Sequence, residues 1–220
     1  MPSKFTFAHK WAFGMLAFLA ILIGTYAFML YGSPASIREQ PFVMGKKSLP
    51  ELWYAILWLH ALCAGVGLAI GWLQFRRRLR LRRPLVHRTI GILYTVMIIV
   101  GGVTGLYLSW YADGGWIAKA GFAMLSSFWL FTLYRSLYSL FIDREPVEHG
   151  RWMIRNYALS CAAISLRVYI PLGAVLFGYT DTNDTFGVIA WLCWLPNLLI
   201  AEAIIRRMYA VKMHGRASSY

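Results

Sequence analysis

Apolar residues run along this chain in six long, nearly unbroken stretches, 11–31, 52–75, 89–111, 117–141, 157–179 and 186–205. A helix needs about 20 apolar residues to cross the hydrocarbon core of a bilayer, and each stretch approaches or exceeds that length. Backbone groups in hydrocarbon must bond within their own segment, so uninterrupted apolar runs are expected to be helices. The pattern predicts an all-α polytopic membrane bundle of about six transmembrane helices. Because the connections are short, it predicts a single membrane domain over residues 1–220.

Composition agrees: 59% of residues are hydrophobic, 16% aromatic and only 14% charged, against roughly a quarter charged in soluble domains. The first run is longer than the ~7–15 apolar residues of a cleaved signal, so it is expected to remain as a helix. The net charge of +13 changes the picture only through its position. Lys4 and Lys10, the run Arg76, Arg77, Arg78, Arg80, Arg82, Arg83 and Arg88, the segment with Arg144, Arg151 and Arg155, and the tail with Arg206, Arg207, Lys212 and Arg216 all fall at one end of the bundle. By the positive-inside rule that end faces the cytoplasm, with both termini, and its basic loops are expected to meet anionic lipid. No groove-entering module accompanies the basic residues, which excludes nucleic acid as the partner. The opposite end carries the loop 32–50, the turn 112–115 and the acidic turn 180–184. Trp53, Tyr54, Trp110, Tyr111 and Trp116 are expected there as an aromatic belt.

Within the spans, Gly67 with Gly71 and Gly101 with Gly105 form small-residue seams that let helices approach closely. Cys63, Cys161 and Cys193 stand singly and indicate neither a disulfide framework nor a thiolate metal site. A faint internal echo links His87-Arg88 to His149-Gly150-Arg151, each leading into a helix.

Ionisable residues in hydrocarbon are costly and face the bundle interior. His60 lies about nine residues, roughly 14 Å, from the start of the second helix, and Arg167 about ten residues into the fifth, so the two can meet near the midplane. His60, Ala64, Gly67, Gly71 and Gln74 share one stripe, and Asn156, Ser160, Ala163 and Arg167 share another. Pro171 and Pro196 free the carbonyls of Arg167 and Leu192, so discontinuities are expected there. For His60 three roles stay open: a hydrogen-bonded packing residue, a haem or metal ligand, or a contact to a quinone or substrate. Glu202, the main buried acid, lies closer to the basic end than Arg167, which makes Arg135 or Arg155 its expected partner. At the basic edge His87, His149 and Gln74 are expected at one height, with His87 opening the third helix and His149 preceding the fifth. Two imidazoles so placed are candidate ligands for one haem iron or a metal, or simply helix caps.

Several stretches together resemble a bacterial family of integral membrane proteins, domain of unknown function 2306. They are Leu59-His60 with the Gly-rich run to Gln74-Phe75, Pro84 to Arg88 with Gly91 and Tyr94, His149 to Arg155, Ala163 to Arg167, and Trp194 to Glu202 including Asn197. The resemblance implies a multi-helix protein of the bacterial cytoplasmic (inner) membrane. It singles out the same His, Arg, Asn and Glu positions and supplies no activity.

Three functions fit these residues. One is a redox protein holding haem b or a quinone, with the site drawn from His60, Arg167, His87, His149, Gln74, Arg155, Asn197 and Glu202. Another is a non-catalytic accessory or assembly subunit of a larger respiratory membrane complex. The last is a small transporter using Arg167 for an anionic substrate. The paired histidines of a two-haem cytochrome are missing, so at most one haem fits. A hydrolase is the least expected class, because there is no His-Glu zinc motif, no serine elbow and no convergent set of carboxylates, and the balance leans away from an enzyme without deciding it.

Overall fold

In a computed structural model the chain is 89% helical, and no strand occurs among the described residues. The structure describes residues 7–30, 33–44, 49–178 and 182–217, without the side chains of 7–9, 34, 41, 42, 182, 184 and 209–217. Lys4, the Thr180-Asp181 half of the acidic turn, and the side chains of His9, Lys212, His214 and Arg216 lie outside the described residues.

Among the described residues six helices are long and apolar enough to cross a membrane: Lys10–Leu30, Glu51–Phe75, Pro84–Ser109, Gly115–Phe141, Pro146–Phe177 and Thr185–Met208. In detail α1 is Phe7–Leu30, and the short α2 (Pro34–Ile37) and α3 (Pro41–Met44) follow it. The second span is α4 (Glu51–Gly71), tightened to a 3-10 turn over Trp72–Phe75. α5 (Arg77–Arg82) carries most of the arginine run, and α6 (Pro84–Ser109) and α7 (Gly115–Phe141) are single spans. The fifth span divides into α8 (Pro146–Ser160) and α9 (Ala162–Phe177), the sixth into α10 (Thr182–Leu192) and α11 (Leu195–Ala217).

The packing follows chain order: α1 lies on α4, α4 on α6, and α6 on α7, while α8 packs on α7 and α11 and also reaches α4. The glycine seams explain how closely these helices meet. A Cβ on Gly24 of α1 would lie 2.5 Å from the Gly65 carbonyl of α4, and one on Gly71 would lie 2.6 Å from the rings of Tyr94 and Tyr157. The core around Leu68, Tyr94, Ile98, Leu133, Leu159 and Trp194 is thereby closely packed.

The helices depart from the apolar runs in four places. α6 and α8 begin at Pro84 and Pro146, well before the runs do, because proline at the first helical position suits a helix start whatever the polarity that follows. His149 therefore sits inside α8 rather than ahead of it. The sixth span breaks at Cys193-Trp194, just before Pro196, where the proline ring crowds the preceding turn and the Leu192 carbonyl loses its partner. In the fifth, however, α9 runs through Pro171 and the break falls at Cys161. Trp53 leaves the expected aromatic belt: it is buried (4% exposed) against Ala27, Ile37 and Val43, whereas Trp110 and Trp116 are 68% and 75% exposed.

Candidate functional site

Away from the basic end, one polar arrangement is built on His60. Its ring lies over α6, where the missing side chain of Gly105 makes the space: a Cβ there would sit 3.2 Å from His60 Cε1 and 2.6 Å from Ser126 Oγ of α7. His60 Nδ1 is 2.9 Å from the Gly101 carbonyl and 3.3 Å from Thr104 Oγ1. A carbonyl only accepts, so in the neutral ring the proton resides on Nδ1 and Nε2 presents its lone pair. Thr104 turns its own proton to the Val100 carbonyl at 2.6 Å, which leaves its oxygen as a second acceptor for Nδ1–H. Among the described residues Nε2 has no hydrogen-bond partner.

Arg167 lies within electrostatic reach of this ring. It stands about ten residues, or roughly 15 Å, from the far end of α9, level with His60 in α4. Its Nη1 donates to the Ala163 carbonyl at 3.1 Å and its guanidinium carbon is 5.8 Å from the ring centroid of Tyr26 on α1. A fixed lone pair on α4 thus lies in the field of a permanent cation on α9.

At the basic edge, Gln74 and His87 are joined directly, with Gln74 Nε2 donating to the His87 carbonyl at 3.3 Å. His149 Nδ1 lies 2.9 Å from both the carbonyl and the Oγ of Ser136, so its proton too sits on Nδ1. His87 is within electrostatic reach of His149 and Arg80, and its Nδ1 is buried with no partner. No cluster of three His, Cys, Asp or Glu able to hold a metal occurs among the described residues.

The other expected residues are drawn to α11. Glu202 pairs with Arg155, whose Nη2 reaches Oε2 at 3.0 Å while Nε takes Oε1; Arg135 is not its partner. Asn197 bridges to Ser165 of α9 at 3.1 Å and donates to the Cys193 carbonyl at 2.9 Å, at the break in the sixth span. Both are pins between helices.

A second polar centre was not singled out by the sequence. Asn156 Nδ2 donates to the Trp129 carbonyl at 2.7 Å and to Thr132 Oγ1 at 2.9 Å, and its Oδ1 accepts from Tyr94 at 2.7 Å. Ser160 takes Trp129 Nε1 at 3.0 Å, and Tyr157 donates to the Leu68 carbonyl at 3.1 Å. Asn156 and Ser160 had shown themselves on one polar stripe; Tyr94 and Trp129 carry no such mark, since aromatic residues crowd every span. Two surface concavities, lined by Lys10, Trp11, Gly14, Met15 and Phe18 and by Arg77, Arg78, Leu81 and Arg82, contain none of these groups.

A family model described as "Predicted membrane protein (DUF2306)" matches residues 57–205, which include every one of these polar positions except Tyr26. No curated protein matches the chain, and no solved structure does.

Proposed function

The chain belongs to the DUF2306 family of predicted membrane proteins, and from that premise we propose that it binds a quinone or quinol between His60 and Arg167. The observation that carries the reading is the bond from His60 Nδ1 to the Gly101 carbonyl, which leaves Nε2 as an acceptor on a ring within electrostatic reach of the Arg167 guanidinium. A quinol hydroxyl donates to that lone pair. A quinone carbonyl, or the anion formed as the hydroxyl loses its proton, accepts from Arg167. The lipid-soluble tail of such a ligand needs no aqueous route, which suits a site within the spans.

The test is quenching of intrinsic tryptophan fluorescence by a short-chain ubiquinone, titrated into the protein in lipid nanodiscs. His60→Ala and Arg167→Gln should each weaken binding at least tenfold while the helix content holds. Equal quenching in wild type and both variants overturns the proposal.

A second reading rests on His87 and His149, which lie within electrostatic reach of each other at the basic edge. A histidine that donates Nδ1–H to a carbonyl, as His149 does to Ser136, is oriented as metal-bound histidines are. This pair would hold a single haem b iron. A Soret band that shifts on dithionite reduction and is lost in His87→Ala or His149→Ala supports this; a colourless protein expressed with haem supplied removes it.

We place the protein in the bacterial inner membrane with its arginine-rich end in the cytoplasm, on the positive-inside rule. A quinol site needs an electron acceptor, and a larger respiratory complex is the partner proposed; copurification in mild detergent tests it.

A further inference from the structure

Arg135 lies in α7 about six residues, or roughly 9 Å, from the helix end at Phe141, at the same end of the bundle as α5. Its side chain is half-buried. Its guanidinium carbon is 5.4 Å from the ring centroid of Trp152 on α8 and 5.7 Å from that of Tyr138. These ring contacts are its surroundings: among the described residues no carboxylate pairs with it and no acceptor takes its N–H groups. The same indole carries a second cation, Arg155, at 4.5 Å. That charge is answered by both oxygens of Glu202. Arg206, one turn further along α11, is exposed and within electrostatic reach of Glu202.

Three cations, Arg135, Arg155 and Arg206, thus gather where Glu202 is already held by Arg155 and where Glu148, one turn before Trp152 on α8, is paired with Arg151. A guanidinium does not discharge in a protein, and inside a span it must find an acceptor or extend to the headgroup level. At this depth the available acceptor is a lipid phosphate. Apolar surface for an acyl chain adjoins it: Phe131, packed edge-on to Trp152, is 48% exposed, and Leu199, one turn before Glu202, is 71% exposed.

We infer that the face formed by α7, α8 and α11 binds the phosphate of an anionic phospholipid, with Arg135 as its main donor, Arg206 as a second cation and Trp152 beneath it. Excess positive charge selects against zwitterionic lipids, whose ammonium it repels. This site is separate from the His60 region and does not depend on the reading given there.

The test is native mass spectrometry of the full chain released from detergent micelles doped with phosphatidylglycerol or with phosphatidylcholine. Wild type should retain phosphatidylglycerol preferentially. Arg135→Gln should weaken that retention about fivefold, the value of one basic residue at a lipid surface. Arg206→Gln, at an exposed position that leaves the packing intact, should weaken it in the same direction. Glu202→Gln, which releases Arg155 from its counter-ion, should strengthen it, and phosphatidylcholine retention should not change in any variant. Phosphatidylglycerol retained equally by wild type and Arg206→Gln overturns the inference, as does a parallel loss of both lipids. Competition by inorganic phosphate at the lipid's own concentration also overturns it, since the site would then take a free anion.

Discussion

Asn156 is 0% exposed and holds three helices together through three hydrogen bonds, two donated to α7 and one accepted from Tyr94 of α6. Replacing it with alanine removes all three. Between membrane helices such bonds are worth about 0.6 kcal/mol each on average and at most about 1.7 kcal/mol, so Asn156→Ala should cost about 2 kcal/mol, and the space left by the amide adds to that. Tyr94→Phe deletes one hydroxyl and with it the contacts to Asn156 and Ser160, a loss of about 1 kcal/mol. The Tyr94–Asn156 bond is lost in either single variant, so the double variant should fall short of additivity by about 0.6 kcal/mol. Unfolding by sodium dodecyl sulfate from mixed micelles, followed by circular dichroism, measures all four corners of the cycle. Asn156→Ala within about 0.5 kcal/mol of wild type, the range of an ordinary surface substitution, would show that the knot contributes no stability. Full additivity would show that the two side chains do not interact.

Three further outcomes follow from the packing. Gly105→Ala puts a methyl 2.6 Å from Ser126 Oγ and should cost about 1–3 kcal/mol; adding Ser126→Ala should recover part of it in thermal melts, and a single variant as stable as wild type contradicts the close approach. The Arg155–Glu202 pair is only half-buried, so Arg155→Glu or Glu202→Arg alone should cost about 1 kcal/mol and the charge-reversed double variant should regain much of that. A reversal no better than either single variant would mean that the ion pair contributes nothing to the contact of α8 with α11. For orientation, Ala112→Cys should react with a membrane-impermeant maleimide in intact cells and Arg80→Cys only after permeabilisation; the opposite pattern inverts the bundle.

The six spans were legible because hydrocarbon imposes one solution on a long apolar run. The helix ends were less so, since hydropathy marks where the oil stops and not where the hydrogen-bonded helix does. α8 shows this: its first turns carry Glu148 and Arg151, which pair with each other along the helix, and the polar segment extends a span that hydropathy begins at residue 157. The break at Cys161 has no proline or glycine to announce it, whereas Pro171, on an exposed position of α9, is accommodated without one. Trp53 reads as an interfacial residue by type and depth, but α2 and α3 fold over the end of α4 and cover it.

What sequence could not reach is the role each polar side chain plays, because the deciding partner is so often a main-chain carbonyl on another element. His60 ends on Gly101, Tyr157 on Leu68, Gln74 on His87 and His149 on Ser136. Every residue has a carbonyl, so no pattern of side chains forecasts which one a neighbouring helix will present. For tyrosine or glutamine the result is a pin between helices. For an imidazole it has a chemical consequence, since the bond consumes one ring nitrogen as donor and fixes the other as acceptor. The stripe through His60 and Gln74 thus separates into two kinds of residue only when α6 is in place: Gln74 spends its amide on holding the basic edge together, while His60 retains Nε2 near a cation. That difference is why the quinone proposal rests on His60 and not on the several other polar residues of the same family-matched region.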